Sequence, residues 1–100
     1  MIKHIVFWKL KEEAHGLGKA DNARMIKSKL ESLNGQIPGL IKVEVGIDFL
    51  HSPESADLVL YSEFESREAL QVYASHPLHT AIMPYIAEAR SERRVVDYED

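Results

Sequence analysis

The sequence predicts an α+β fold of the ferredoxin-like βαββαβ type, with a four-stranded antiparallel sheet covered by helices on one face. Four short segments rich in β-branched and aromatic residues alternate with two segments of helical periodicity in that order. The length of 100 residues fits one domain, 1–100. The composition, 45% hydrophobic and 28% charged, is typical of a globular protein.

The first strand is predicted over residues 2–10. Side chains alternate between the two faces of a strand, which places His4, Val6 and Trp8 on one face and Ile5 and Phe7 on the other. Because both sets are largely apolar, we expect this strand to be covered on both sides.

A polar loop over residues 12–18 leads to the first helix, for which Asp21 or Asn22 is the expected N-cap. Helical spacing predicts a buried stripe on it, formed by Ala23, Ile26, Leu30 and Leu33. Asn34-Gly35 predicts the end of the helix, since glycine favours the left-handed conformation found there. Pro38-Gly39 predicts a turn.

The second strand is predicted over residues 40–47 as an edge strand buried on one side only. Its expected apolar face consists of Ile41, Val43, Val45 and Ile47. After a loop over residues 51–56, the third strand is predicted over residues 58–64, with apolar side chains on both faces.

Ser66 is the expected N-cap of the second helix, which buries Ala69, Leu70 and Tyr73. His76 precedes Pro77, which disfavours a helical conformation, so the helix is predicted to break there. A second helical piece follows, in which Pro84 either causes a kink or begins the regular part. Its expected buried stripe is Ala81, Ile82, Tyr85, Ile86 and Ala89. The last strand is predicted over residues 94–98.

The predicted sheet carries a second apolar face that two helices cannot cover. That face consists of Ile5, Phe7, Val59, Tyr61 and one of Val95 or Val96. Each such side chain left in water forgoes roughly 1.5–3 kcal/mol. The sequence therefore predicts a homodimer in which two sheets face each other as a barrel.

Charge and cysteine content exclude several classes of function. The net charge of −4 argues against nucleic-acid binding, and the absence of cysteine excludes disulfides, thiolate nucleophiles and cysteine zinc sites. The same absence fits a reducing environment, so we expect a cytoplasmic protein. MIKHIVFWKL carries lysine within its apolar run, and we expect neither a signal peptide nor a membrane span.

The segment YASHPLHT, residues 73–80, is the main candidate for chemistry. His79 could abstract a proton next to a carbonyl group, and Tyr73 could donate a hydrogen bond to the developing enolate. Alternatively, His76 caps the second helical piece and these side chains only complete the turn. A third alternative is a metal site formed by His76, His79 and His4.

Five separated segments of the chain resemble the Dabb family of stress-responsive dimeric α/β-barrel proteins. They are IKHIVFWKLK, IPGLIKVEVG, DLVLYSEFES, YASHPLH and VVDYE. The resemblance implies the ferredoxin-like fold and a barrel dimer. Some plant members are associated with stress, and one is a polyketide cyclase that works without a cofactor.

In that cyclase a tyrosine and a histidine match Tyr73 and His79, and further histidines match His4 and His76. Two polar pocket residues of the cyclase are replaced here by Leu30 and Leu58, which makes the pocket more apolar. The resemblance thus implies either a pocket for a small apolar or aromatic molecule, or a cyclase-like enzyme without cofactor or metal. The predicted lining is His4, Val6, Trp8, Ile26, Leu30, Val43, Leu58, Leu60, Tyr73, His76, His79, Ile82 and Tyr85. Arg90, Glu92, Arg93 and Arg94 are expected to lie around the start of the last strand or to form pairs at the rim of the dimer; alternatively, they attract an anionic substrate tail.

Overall fold

The computed structural model, which describes residues 1–100, contains a four-stranded antiparallel sheet with helices on one face. The strands are β1 (Ile2–Leu10), β2 (Glu13–Ala14), β3 (Leu17–Gly18), β4 (Leu40–Ile47), β5 (Leu58–Phe64) and β6 (Arg90–Glu99). The helices are α1 (Lys19–Glu31), α2 (Arg67–Ser75), α3 (Pro77–Thr80) and α4 (Met83–Ala89). The strand order β4-β5-β1-β6 confirms the predicted ferredoxin-like fold and makes β1 a central strand.

The hydrophobic core lies between the helices and one face of the sheet, which we call the inner face. Val6 and Trp8 of β1 are buried there, as are Leu58 and Leu60 of β5. The predicted stripe of α1 is buried against them, and Ile26 and Leu30 are completely inaccessible to solvent. The alternation of β1 and the periodicity of α1 therefore predicted the core correctly.

The predicted N-cap of α1 is wrong. The helix begins at Lys19 after Gly18, and no side chain caps it. The loop before it forms the small hairpin β2–β3, which turns Asn22 inward. Asn22 Nδ2 donates to the Ala14 carbonyl at 2.9 Å, and Oδ1 accepts from the Tyr85 hydroxyl at 2.7 Å. Asn22 thus joins α1 to the hairpin and to α4 instead of capping the helix.

The predicted apolar face of β4 is only half correct. Val43 and Val45 are buried, but Ile41 and Ile47 are 47% and 43% exposed. A register shift between Leu40 and Lys42 moves Ile41 out of the alternation, and Leu40 takes the buried position.

The last strand begins four residues earlier than predicted, at Arg90, and its first half is charged. This polar segment pairs with the end of β1, where Arg93 lies opposite Trp8. Main-chain pairing on an edge strand does not require apolar side chains, so hydrophobicity alone missed this part of β6.

The broken second helix is confirmed. Ser66 accepts a hydrogen bond from the Ala69 N–H and caps α2, and Pro84 lies in the first turn of α4. His76 ends α2 and caps α3, with Nδ1 accepting from the Leu78 N–H at 3.1 Å. No helix in the structure has both the length and the apolar character needed to span a membrane.

Gly39 and Gly35 allow a matched test of how α2 packs on the turn before β4. Both have positive φ, and a Cβ added at Gly39 would lie 2.5 Å from Ala69 Cβ, whereas one at Gly35 meets nothing within 4 Å. We expect Gly35→Ala to cost about 1–2 kcal/mol through backbone strain. Gly39→Ala should cost a further ~1–3 kcal/mol through the clash. Urea unfolding measures both, and equal losses would contradict this packing.

Candidate functional site

A cavity of about 210 Å³ lies between the inner face of the sheet and the helices. Its wall combines apolar side chains with two imidazoles, one phenol, one indole and two guanidinium groups. The lining residues are His4, Val6, Trp8, Leu30, Leu60, Tyr73, His79, Met83, Ile86, Ala87, Arg90 and Arg93.

Strand β1 supplies one wall of the cavity. Because alternate side chains of a strand share a face, His4, Val6 and Trp8 all point toward the helices. Trp8 is 3% exposed, and its Nε1 atom is buried without a hydrogen-bond partner. The indole N–H is thus an unpaired donor on a side chain that lines the cavity.

The helix break at Pro77 brings Tyr73 and His79 together. Residues six apart on a continuous helix would lie about 240° apart around its axis. Here Tyr73 is on α2 and His79 is on α3, and their ring centroids are 4.2 Å apart with a tilt of 37°. The break is therefore what puts the phenol and the imidazole in the same wall.

Tyr73 is 1% exposed, and its hydroxyl has no hydrogen-bond partner. Burial raises the pKa of the Tyr73 phenol to about 12, because the phenolate would lose its hydration. The group therefore stays protonated at neutral pH and can donate a hydrogen bond.

His79 has the properties of a neutral imidazole with one free nitrogen. Its Nδ1 lies 3.2 Å from the Ala74 carbonyl oxygen, which can only accept, so Nδ1 carries the proton and Nε2 is free. Burial lowers the pKa of His79, and the nearby charges of His4 and Arg93 act in the same direction. The hydrogen bond to Ala74 opposes this shift in the pKa without cancelling it.

His4 is held by a carboxylate that sequence reasoning did not place near it. Asp97 lies directly opposite His4 across the β1–β6 pair, and its Oδ1 is hydrogen-bonded to His4 Nδ1. The imidazole also makes edge contacts with Phe64 and Tyr73, at centroid distances of 6.3 and 6.2 Å. His4 is thereby fixed in orientation next to Tyr73.

Seven of the predicted pocket residues lie in the cavity wall: His4, Val6, Trp8, Leu30, Leu60, Tyr73 and His79. Six do not, and each has another structural role. Ile26, Val43 and Leu58 are buried in the core instead. His76 caps α3.

The remaining two predicted residues also lie outside the cavity wall. Ile82 precedes the first residue of α4, and Tyr85 lies on α4. Ile82 packs in the hydrophobic core. Tyr85 stacks on His15 at a centroid distance of 3.8 Å, and its hydroxyl is bonded to Asn22.

Five lining residues lie on and after α4: Met83, Ile86, Ala87, Arg90 and Arg93. Sequence reasoning did not assign them to the lining, although it expected Arg90 and Arg93 to pair at the dimer rim or to attract an anionic tail. It had assigned Ile86 to the core but not to the cavity. The first four follow the spacing i, i+3, i+4, i+7, one position out of phase with the predicted buried stripe. This spacing was the available signal. The position of Arg93 depends on the register of β6 with β1, which the sequence does not state.

No three histidine, aspartate or glutamate side chains come together in a way that could hold a metal ion. In particular, His76 is engaged in capping α3 and does not join His4 and His79 in the cavity wall.

The sequence pattern of the family described as "Stress responsive A/B Barrel Domain" (Dabb) matches residues 2–100 of this chain. No curated protein matches the chain.

Several solved structures have the same fold. A protein from Bacteroides fragilis, described as dimeric, ferredoxin-like and of unknown function, has a TM-score of 0.82 and 32% identity, covering 99% of this chain and 95% of its own. A dimeric ferredoxin-like protein from Thermobifida fusca has a TM-score of 0.84 and 21% identity, with coverages of 99% and 90%. A third, from Jannaschia sp. CCS1, has a TM-score of 0.74 and 28% identity, with coverages of 99% and 98%.

Proposed function

The chain belongs to the Dabb family of stress responsive A/B barrel domains, and we propose that it is a homodimer whose protomers each hold one small, largely apolar molecule. The molecule lies in the cavity between sheet and helices. It carries at least one hydrogen-bond acceptor.

The observation that carries the proposal is the pair of unsatisfied donors in the cavity wall. Trp8 Nε1 and the Tyr73 hydroxyl are the two buried side-chain polar atoms without a hydrogen-bond partner in the whole chain, and both residues line this cavity. Leaving a buried donor unpaired costs about 1–3 kcal/mol. A bound molecule that offers acceptors to these donors removes that cost, which favours its binding.

The size and lining of the cavity limit the class of molecule. Its volume of about 210 Å³ is below the ~300–1,000 Å³ of drug-sized ligand sites. It exceeds the ~150 Å³ of an engineered cavity that binds benzene. A single ring or a short branched chain therefore fits, and a long polyketide chain does not. Val6, Leu60 and Ile86 supply the apolar contacts.

The dimer is supported by the apolar outer face of the sheet, opposite the helices. Phe7, Val96 and Tyr98 are exposed on this side of the single chain, and no helix covers it. Beyond the end of β4, Phe49 and Leu50 are 89% and 69% exposed. A patch of this kind is rare on monomers. The Bacteroides fragilis protein at 32% identity is described as dimeric, and two sheets packed face to face would bury such a surface.

A charge at the centre of the outer face tests the dimer. Val59 lies between Phe7 and Gly46 on neighbouring strands. We expect Val59→Lys to convert the dimer to a monomer of 11.4 kDa. The reason is that a second copy would bury the ammonium group of the new lysine. Val72→Lys is the matched control, since Val72 is exposed on α2. Sedimentation equilibrium measures both masses. A wild-type protein of single-chain mass at micromolar concentration would refute the dimer.

The indole N–H of Trp8 is a direct reporter of binding, because the chain has one tryptophan. We expect benzamide, acetophenone or benzoate to shift its NMR signal, and Tyr73→Phe to weaken that binding because one donor is lost. Tyr98→Phe, on the outer face of the sheet and outside the cavity wall, is the control and should leave the affinity unchanged. If no compound moves the signal up to its solubility limit, the ligand proposal is wrong.

A second candidate function, cofactor-free proton transfer, is favoured by the Tyr73–His79 contact. In this reaction the free Nε2 of His79 takes a proton from the carbon next to a carbonyl group. The electron pair of that C–H bond forms the enolate, and the Tyr73 hydroxyl donates a hydrogen bond to its oxygen. Return of the proton from His79 to carbon restores the ketone. The lowered pKa of His79 keeps the base neutral at pH 7.

Deuterium exchange into the methyl group of acetophenone, followed by NMR, tests this second function. The neutral imidazole is the active form, so the rate should be constant at high pH and fall only below pH 6.5, through the lowered pKa of His79. His79→Gln and Tyr73→Phe should each reduce the rate, and His51→Asn, in an exposed loop, should not. Exchange no faster than in buffer would exclude this function and leave ligand binding standing.

A further inference from the structure

The charge of the cavity wall is opposite in sign to that of the whole chain. The chain has a formal net charge of −4. The wall nevertheless contains Arg90, Arg93, His4 and His79 and no aspartate or glutamate. Asp97 is hydrogen-bonded to His4 and is not part of the wall. The cavity is therefore a locally positive region on an acidic protein.

The two arginines reach the cavity through the junction between α4 and β6. Arg90 follows the last residue of α4 and begins β6, where the pairing with β1 shifts register between Lys9 and Leu10. Arg93 lies directly opposite Trp8, so it projects from the same, inner face of the sheet. On this edge strand Arg93 is exposed and Arg90 is half-buried, which places both arginines at the open side of the cavity.

Neither arginine has a counter-charge within the chain. The acidic side chains nearby are engaged elsewhere: Glu92 is 4.0 Å from Arg94, and Asp97 is bonded to His4. Arg90 and Arg93 take part in no ion pair, although eight pairs of lysine or arginine with a carboxylate are present in the structure. Two unpaired guanidinium groups in the wall of one cavity are suited to receive an anion from outside the chain.

We propose that the molecule held in the cavity is a small carboxylate, with its apolar body among Val6, Leu60 and Ile86 and its carboxylate against Arg93 and Arg90. This inference rests on the proposed ligand-binding function and names the class of ligand. Trp8 supplies a further donor, because side chains directly opposite on antiparallel strands have Cβ atoms about 4.5–5.5 Å apart. Trp8 and Arg93 are therefore neighbouring side chains in the cavity wall, and the proposal assigns both to the carboxylate end of the ligand.

The dimensions of the cavity select a carboxylate over a larger anion. A volume of about 210 Å³ accommodates one ring or a short branched chain with its acid group at the open side. A nucleotide-sized anion would extend far beyond the two arginines into solvent. The planar guanidinium fork also matches a carboxylate, which it can bind through two parallel hydrogen bonds.

Matched acids and amides test the inference. Benzoate and benzamide, and 3-methylbutanoate and its amide, are titrated into the dimeric protein while the NMR signal of the Trp8 indole is followed. We expect each acid to bind more tightly than its amide. Arg93→Gln and Arg90→Gln should each weaken binding of the acids by about tenfold and should affect the amides much less.

The control for these variants is Arg24→Gln, which removes the same charge from the exposed face of α1, where Arg24 is paired with Asp21. It should leave binding of the acids unchanged. Equal affinity for acid and amide, or loss of binding in Arg24→Gln as large as in Arg93→Gln, would overturn the carboxylate inference alone. Failure of all four compounds to bind would overturn the ligand proposal together with this inference.

Discussion

The alternation of side chains along β1 is the constraint on which both the proposed ligand cavity and the proposed dimer depend. As a central strand, β1 directs Val6 and Trp8 toward the helices and Phe7 toward the opposite side. The first direction builds the core and one wall of the cavity. The second leaves an apolar surface that a single helix layer cannot cover, which supports the proposed dimer. A shift of one residue in the register of this strand would turn Val6 and Trp8 outward and Phe7 inward. Both the cavity wall and the apolar outer surface would then be lost.

Most of the fold and about half of the cavity wall could be predicted because they follow local rules. Strand alternation placed His4, Val6 and Trp8 on one face, and the constraint that Pro77 imposes on His76 predicted the break that brings Tyr73 and His79 together. These features depend on residues close in sequence. The resemblance to the Dabb family points to the same tyrosine and histidine, and the match over residues 2–100 confirms the family.

The features that sequence reasoning missed depend on contacts between distant segments. The register of β6 with β1 places Asp97 opposite His4 and Arg93 opposite Trp8 in the cavity wall. The charged first half of β6 gives no hydrophobic signal. Asn22 was predicted as an N-cap because its local sequence does not indicate the hydrogen bond with Tyr85, which lies 63 residues away. The predicted stripe is buried at Ile82, Ile86 and Ala89, but the cavity lies against the neighbouring face of α4, which is rotated from that stripe by about 100°.

A crystal structure of the protein purified from its own host, without added ligand, tests the central claim most directly. The claim is that the cavity holds a bound molecule that accepts hydrogen bonds from the Trp8 N–H and the Tyr73 hydroxyl. The predicted result is electron density for an ordered molecule whose acceptor atoms lie about 2.7–3.2 Å from Trp8 Nε1 or the Tyr73 hydroxyl oxygen, with an acid group near Arg93. The contradicting result is a cavity closed by its own side chains, with both donors bonded to main-chain carbonyl groups.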